Sequence, residues 1–579
     1  MKKIAICVVL IITSLLFANQ ALDEQSIQEV RVSPCKPELR NLIEKMDQAK
    51  ANGDVSLFKN LLDEYRKMNQ PVIKTDGPQV QLIGPEPTIG SGPQPFWSGV
   101  DVTVDSAWDY QAFSMDTRSN GTIFLAASRR ATSGDDYVVS VWASSNGVQW
   151  NWWLTISWTG HDIINPSIKV VEQSDSDYFF VMFNSYDNAS PHEEDIIVLR
   201  HPFGTGTYDF YNVSTNTGVP ERNPSLDADD IQFSNAPYLY CAFESGDSIA
   251  FIRSLDIGLT WVDRQILREG DPTWDYDNPE CTFGWHNSAD SFTIGVAWHY
   301  RENTGAERIR FRRCISYGAP SGWLPVTYFP APTNHLDRKP SLKMTHGTMP
   351  SGAIIFARCD TVGNDEEDLC IFYTYNGGRS WTNDTLYLGG EYAVLNCLSV
   401  DDSPRDYHAF FKGDYDDIRY KEGDYDNLSY DGWTFSIAIS DGGDISEATS
   451  PASAVFDTMP CVCWKDITNS IWYKIKFDAL WLQTGIQERQ SQRNTIKLIL
   501  APNPSNGNAK IFYQINKSGN VRISVYDASG RLVNNLINEK KPAGTHTLNL
   551  DNRELPNGIY FVRVETPEGT ATKTMTIVR

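Results

Sequence analysis

The sequence predicts a mainly β protein built around a β-propeller of about seven blades, with six as the alternative count. Three observations carry that prediction. A phrase of the form Pro-Ser-aliphatic returns at a near-constant interval. A second, strongly apolar run follows each copy. The chain is also rich in aromatics, with 17 Trp, 26 Tyr and 26 Phe, which pack well on pleated surfaces.

The phrase reads Asn165-Pro166-Ser167-Ile168, Asn223-Pro224-Ser225-Leu226, Asn278-Pro279-Glu280 and Lys339-Pro340-Ser341-Leu342. Degenerate copies stand near Val394-Leu395-Asn396 and at Ser450-Pro451-Ala452-Ser453. Successive prolines, 166 to 224, 224 to 279 and 279 to 340, lie 58, 55 and 61 residues apart. A period of that size marks a propeller blade or a similar repeated unit. The second runs begin with Ile123 to Ala127, Phe179 to Phe183 and Tyr238 to Phe243. Thr293 to Trp298, Ala353 to Ala357, Tyr407 to Phe411 and Cys461 to Trp464 make seven. The first belongs to a unit near Trp108 whose opening phrase has decayed.

Around this core the chain divides further. Residues 1–21 read as a secretory signal peptide: Lys2 and Lys3, an apolar run from Ile4 to Phe17, then Ala18 and Ala21 for cleavage. Residues 22–74 read as a helical hairpin. Leu39, Leu42, Ile43 and Met46, then Leu57, Leu61, Leu62 and Tyr65, recur at helical spacing, and Asn52-Gly53-Asp54 breaks them. The segment is expected to cap the main domain, with a pro-region as the alternative. Residues 75–97 read as a Pro/Gly-rich linker, 98–482 as the propeller, and 483–496 as a second linker. Residues 497–579 show strands of period two between Gly, Pro and Asn turns, which predicts a small Ig-like sandwich.

Composition narrows the function classes. The formal charge is −23, and about −25 once Lys2 and Lys3 leave with the signal, so nucleic acid and anionic membranes are poor partners. No later stretch is apolar for long enough to span a membrane. Nine cysteines remain after Cys7 is removed, too irregular for a disulfide framework. Cys359 and Cys370 flank a polar turn and are candidates to pair across a hairpin. Cys461 and Cys463, alternating with Val462, suggest core packing. No Cys or His cluster has zinc spacing, and no cofactor is expected. The repeated acidic stretches 413–417 and 423–427 offer oxygens suited to calcium, with a solvated acidic hairpin as the stronger reading.

A further motif closes several units. Ser254-Leu255-Asp256-Ile257-Gly258-Leu259-Thr260-Trp261 is the fullest copy, Thr374-Tyr375-Asn376-Gly377-Gly378-Arg379-Ser380-Trp381 the second, and Ser144 to Trp150 a shortened third. An Asp or Asn bonds its own backbone, Gly takes positive φ, and Trp covers the turn. The motif resembles the Asp-box of sialidase-type β-propellers, where it is a structural turn. That resemblance makes Ser254, Asp256, Gly258, Thr260, Trp261, Asn376, Gly378 and Trp381 structural residues. Residues from Ala501-Pro502-Asn503-Pro504, through Val521 to Val533 and Asn557 to Val564, to Lys573–Arg579 resemble the C-terminal sorting domain of type IX secretion substrates. It implies that residues 497–579 engage that secretion machinery and that the protein is secreted or held at the cell surface. An ordinary Ig-like module is the alternative.

Blade topology then collects candidate site residues. Starts of first strands and ends of second strands share one face. The first supply Asp162, Arg222, Asp277, Arg338, Lys339 and Glu447; the second supply Arg129, Glu244, His299, Arg301, Arg358, Lys412 and Lys465. Arginine clusters bind carboxylates bidentately. The sialidase resemblance implies an arginine triad, for which Arg222, Arg338 and Arg358 are the candidates. It further implies an acid or base, Glu244 or Asp277, and a tyrosine nucleophile, Tyr300. Arg129, His299 and Arg301 are additional ligand-binding candidates. The region Trp108 to Phe113 lacks the Arg-Ile-Pro phrase with which that family opens its first blade. The expected function is recognition of an extracellular glycan or other surface ligand by this face. The alternatives are a sialidase-like exo-glycosidase and a structural or adhesive surface protein.

Overall fold

The computed structural model describes residues 31–577 except 33–35, 75–76, 88–101, 108, 174–175, 190–193, 215–217, 230–236, 269–274, 287–291, 302–304, 330–334, 348–350, 361–366, 391–395, 401–405, 414–416, 425, 435, 441–443, 446–449, 457–458, 470–471 and 480–496, together with 502–504, 506–507, 516–517, 528–530, 543, 552, 554 and 567–568. The expected signal peptide, Glu447 and part of the acidic hairpin lie outside these residues. The chain forms two compact units, Met1–Trp481 and Leu482–Arg579.

In the first unit the described strands form seven sheets, antiparallel apart from a short pairing of His346–Gly347 with the fourth. The first runs Asp109–Thr117, Ile123–Arg130, Val138–Ser144 and Asn151–Ser157; the second, His161–Val171, Tyr178–Asp187, Glu194–Pro202 and Asp209–Asn212. The third is Glu221–Ala228, Leu239–Ser245, Ser248–Ser254 and Val262–Arg268. The fourth and fifth begin with Asp275–His286 and His335–Met344, the sixth with Asn396–Val400. The seventh joins Ala452–Phe456, Met459–Asn469 and Trp472–Ala479, and its outer strand is Val102–Ala107 from the start of the region. First strands pack on one another in order, and Ala452–Phe456 packs on Asp109–Thr117. This is a β-propeller in which a strand preceding the first sheet, Val102–Ala107, completes the last one.

The apolar runs are the second strands. They read as continuous apolar stretches because each sheet is covered on both faces by its neighbours. Phe179, Val181 and Phe183 join a core with the first sheet, while Phe180 and Met182 join one with the third.

The recurring phrase has a specific geometry. Asn165, Asn223, Asn278 and Lys339 have φ of 54°, 49°, 49° and 45°, and each falls in a register shift, between Ile164/Ser167, Arg222/Ser225, Asp277/Glu280 and Arg338/Ser341. The phrase is thus a β-bulge in the innermost strand. Asn tolerates the left-handed region, and Pro, having no N–H, suits a place where the ladder is interrupted. The serine then reaches across: Ser114, Ser167 and Ser341 hydroxyls accept the N–H of Ile168, Leu226 and Leu398, each at 3.0 Å, and Ser225 accepts that of Cys281 at 2.9 Å. Each of these bonds ties one sheet to the next.

Two expectations are corrected. Cys359 and Cys370 are not joined in a disulfide. Cys359 opposes Glu367, three residues from Cys370; an odd offset puts the two side chains on opposite faces. Within the expected linker, Gln79–Leu82 is a strand on the outer edge of the first sheet, with Val80 opposite Ile156. Flanking Gly and Pro hide its period-two pattern in the sequence. Cys461 and Cys463 do share one core while Val462 joins another.

The hairpin comprises α1 (Pro37–Ala51) and α2 (Val55–Met68). Pro37 opens α1, and Asp54 caps α2 by accepting the N–H of Leu57 at 3.0 Å. Leu42, Ile43, Met46, Leu61, Leu62 and Tyr65 share a core with Tyr238, Phe251 and Trp298 of the third and fourth sheets. The segment therefore packs on the propeller as a cap does.

The second unit is a β-sandwich. Three strands, Lys497–Ala501, Asn508–Ile515 and Gly544–Asp551, face four, Gly519–Asp527, Leu532–Lys541, Gly558–Thr566 and Gly569–Ile577. Ile511, Tyr513, Ile523, Val562 and Met575 fill the core between them.

Candidate functional site

The seven first strands line a central channel with a cavity of 460 Å³. Opening beside it, and sharing Gln111, Asn165, Asn223 and Asn278 with its wall, is a second cavity of 590 Å³. Its remaining lining is Tyr137, Asp162, Ile164, Tyr186, Glu194, Arg222, Glu244 and Asp277. Four consecutive sheets contribute. Asp162, Arg222 and Asp277 come from starts of first strands and Glu244 from the end of a second, so blade topology collects these four into one place.

A line of amides runs along the floor. Asn165 Nδ2 donates to Asn223 Oδ1 at 2.5 Å, and Asn223 Nδ2 to Glu244 Oε1 at 2.5 Å. The Asn278 N–H donates to the same Glu244 oxygen at 3.0 Å. Burial nevertheless dominates and pushes the Glu244 carboxyl up to about 7 against those hydrogen bonds.

Asp277 has the opposite fate. Burial alone would raise it, but the His299 Nδ1–H at 2.7 Å, the imidazolium charge and Asn278 Nδ2 outweigh that and hold it below its ordinary value. His299 in turn lies between Asp277 and Glu307, its Nε2 3.3 Å from Glu307 Oε2. Burial would lower His299; the two carboxylates win and raise it to about 8. Glu307, held by His299 and Arg338 against its own burial, falls to about 2. Arg301 Nε donates to Glu307 at 3.0 Å and Arg338 Nε donates to it as well.

The arginines of the expected triad do not come together. Arg222 donates to Glu194 in the cavity. Arg338 is spent on Glu307. Arg358 is buried and bidentate to Asp337 at 2.7 and 3.0 Å. Tyr300, one residue past His299, points to the other face and packs in the hydrophobic core, with the Arg310 guanidinium 4.7 Å from its ring. Arg129 lies over Trp152 and 3.4 Å from Asp105; Lys465 donates to Asp109 at 2.6 Å.

The turn motif sits between third and fourth strands, at the far end of the sheets from the cavity. Asp256 accepts the Thr260 N–H at 2.8 Å and its hydroxyl at 2.7 Å, and Ser254 Oγ accepts the Gly258 N–H at 2.8 Å. Asn376 makes the matching bonds to Arg379 and Ser380, each at 3.0 Å, before Gly378 and Trp381 complete that turn. Trp381 meets Phe311 of the preceding sheet edge-on at 4.9 Å, and Trp261 packs in the core shared with the second sheet.

Sequence reasoning missed Tyr137, Tyr186 and Glu194. Tyr186 ends a second strand, one of the two stations read for polar residues, and is passed over there; Glu194 starts a third strand, a station on the same face that lies outside those two. The asparagines of the phrase are visible as repeats, and only the bulge shows that they line the cavity.

Residues 500–578 match a family model described as a secretion system C-terminal sorting domain. The chain is thus an exported protein, secreted or at the cell surface, whose C-terminal unit engages the type IX machinery. Among the described residues no helix is long and apolar enough to cross a membrane. No curated protein matches the sequence. Among solved structures, an α-L-arabinanase of Penicillium chrysogenum complexed with arabinobiose is 14% identical, with TM-score 0.38, covering 57% of this chain and 98% of that one. A Hadza microbial sialidase is 15% identical, TM-score 0.36, covering 65% and 66%. A protein of unknown function from Dyadobacter fermentans is 11% identical, TM-score 0.38, covering 69% and 99%.

Proposed function

We propose that this exported propeller binds an extracellular glycan in the 590 Å³ cavity beside its channel. One observation carries the reading: amides, carboxylates, a guanidinium and two tyrosines from four consecutive sheets line a single concave site. Sugars present hydroxyls in both donor and acceptor roles on a partly apolar ring. A lining of Asn165, Asn223, Asp162 and Arg222 supplies acceptors and donors, and Tyr186 supplies flat apolar surface. The size suits a ligand of a few sugar units. The sialidase-type route draws no support from the arginines, each of which is engaged by its own carboxylate, Arg222 on the third sheet by Glu194 and Arg338 and Arg358 on the fifth by Glu307 and Asp337.

The test is binding of the full chain to a glycan array, followed by titration of the best ligand. Arg222→Ala and Tyr186→Ala should each weaken it about tenfold or more, as truncation of Arg and Tyr anchors does. Undiminished affinity in both variants overturns the assignment to this cavity.

A further inference from the structure

We propose, building on that glycan-binding reading, that the cavity also hydrolyses its ligand: Glu244 is the proton donor to a glycosidic oxygen and Asp277 the base that activates water. Both residues line the same cavity. They stand on adjacent sheets and are joined through one residue, since Asn278 donates its N–H to Glu244 and its side-chain amide to Asp277. Two carboxyls flanking a bound sugar are what glycoside hydrolysis needs, provided one keeps its proton while the other has lost it.

The surroundings enforce that division. Glu244 lies among amides, with Arg222 engaged by Glu194 and the Asp277 charge nearby. Asp277 instead receives the His299 imidazolium, which Glu307 holds from behind while Arg301 and Arg338 fix Glu307. His299 is a positioning residue. It touches Asp277, not the sugar, and keeps that carboxylate ionised and aimed.

In the step, the bond between the anomeric carbon and the bridging oxygen breaks as Glu244 gives that oxygen its proton. Water adds to the anomeric carbon and its proton passes to Asp277. Exchange with solvent returns Glu244 to the acid and Asp277 to the carboxylate. One water is consumed, and a reducing sugar and an alcohol are released; no oxidant or other co-reactant takes part.

The lining also sets the substrate class. With Glu244 holding its proton, Asp162, Glu194 and Asp277 still outnumber the guanidinium of Arg222, which Glu194 already holds. Like charges brought together across a site repel, and the mismatch disfavours the wrong partner. The substrate is therefore an uncharged glycoside, and acidic sugars are disfavoured.

The experiment presents the full chain with a panel of neutral 4-methylumbelliferyl hexosides and pentosides, a sialoside, and the best glycan from the binding array. Turnover of a neutral glycoside and none of the sialoside is expected. Glu244→Gln should lower kcat about a hundredfold or more, and a 2,4-dinitrophenyl leaving group, which needs no proton, should restore most of it. His299→Asn should move the acidic limb of the pH profile upward by about 1 unit or more, because Asp277 loses its cationic partner. Glycan bound at the cavity with no turnover of the panel or of the bound glycan overturns hydrolysis and leaves the binding reading intact. Binding that is indifferent to both Arg222→Ala and Tyr186→Ala overturns both. Turnover of the sialoside alone overturns the substrate class, and a Glu244→Gln variant as slow with the activated leaving group as without it overturns the role of the acid.

Discussion

At the scale of single residues, the site turns on two carboxyls whose surroundings act in opposite directions. Glu244 is held near 7 by burial, above its ordinary 4.5. The folded protein therefore keeps a proton that the unfolded chain releases between those values, and stability falls as pH rises through that window. His299, raised to about 8 from 6.5, works in the same direction: its contribution is complete below 6.5 and is lost as pH passes about 8. Glu244→Gln removes only the first effect. Its denaturant midpoint, measured against the parent at about pH 5 and about pH 9, should improve in relative terms at the higher pH. A variant with the same offset at both would show that the Glu244 proton is not retained on folding. The sequence located Glu244 and Asp277 by station on a strand, yet it held no sign of which one keeps the proton. That depends on His299 and Glu307, which join the pair only across neighbouring strands of the fourth sheet.

Among the elements, the bulge and the turn divide the work between them. The turn was legible because its bonds are local: Ser254, Asp256 and Thr260 satisfy one another within seven residues. The destination of its Trp was not, since Trp381 and Trp261 seal a neighbouring sheet, and only the assembled ring shows which. The same contact constrains the glycine. Gly258 has φ of 76°, and a Cβ there would lie 2.7 Å from Phe180 Cε1 of the second sheet. Gly258→Ala therefore meets both left-handed strain and a clash, and should cost about 2–4 kcal/mol, read as a lowered unfolding midpoint. For the bulge, Ser225→Ala leaves the Cys281 N–H without its partner and should cost about 1–3 kcal/mol. The phrase was conspicuous as a repeat because sheet after sheet needs the same link to the next. Its left-handed residue and cross-sheet hydroxyl bond were not readable from spacing alone.

For the whole first unit, the N-terminal segment adds links between sheets beyond ring closure. Arg31–Val32 pairs with the outer strand of the third sheet and Gln79–Leu82 with that of the first, while Lys74 donates its N–H to Phe210 O of the second at 2.9 Å. The hairpin between these contacts is tied in by charge. Arg253, wholly buried, binds Asp47 of α1 at 2.8 and 3.0 Å and Asp263 at 2.7 and 3.0 Å. Lys50 of α1 reaches Asp229 at 2.9 Å and sits 4.0 Å from the Tyr238 ring centre. Helical periodicity announced the apolar faces of α1 and α2, but Asp47 and Lys50 look from sequence like ordinary surface charges. Removing one partner of a buried charge leaves the other desolvated and uncompensated, at about 3–5 kcal/mol when no second partner exists. Arg253 keeps Asp263, so Asp47→Ala should cost about 2–3 kcal/mol, at or below the low end of that range. Glu44→Ala, on the exposed side of the same helix, should stay within about 0.5 kcal/mol. Hydrogen exchange should locate the damage in Leu239–Ser254, the strands that face the hairpin. If Asp47→Ala matched Glu44→Ala in both measurements, the hairpin would be a dispensable appendage; equal protection in those strands after cleavage between α2 and Gln79 and removal of the helices would lead to the same conclusion.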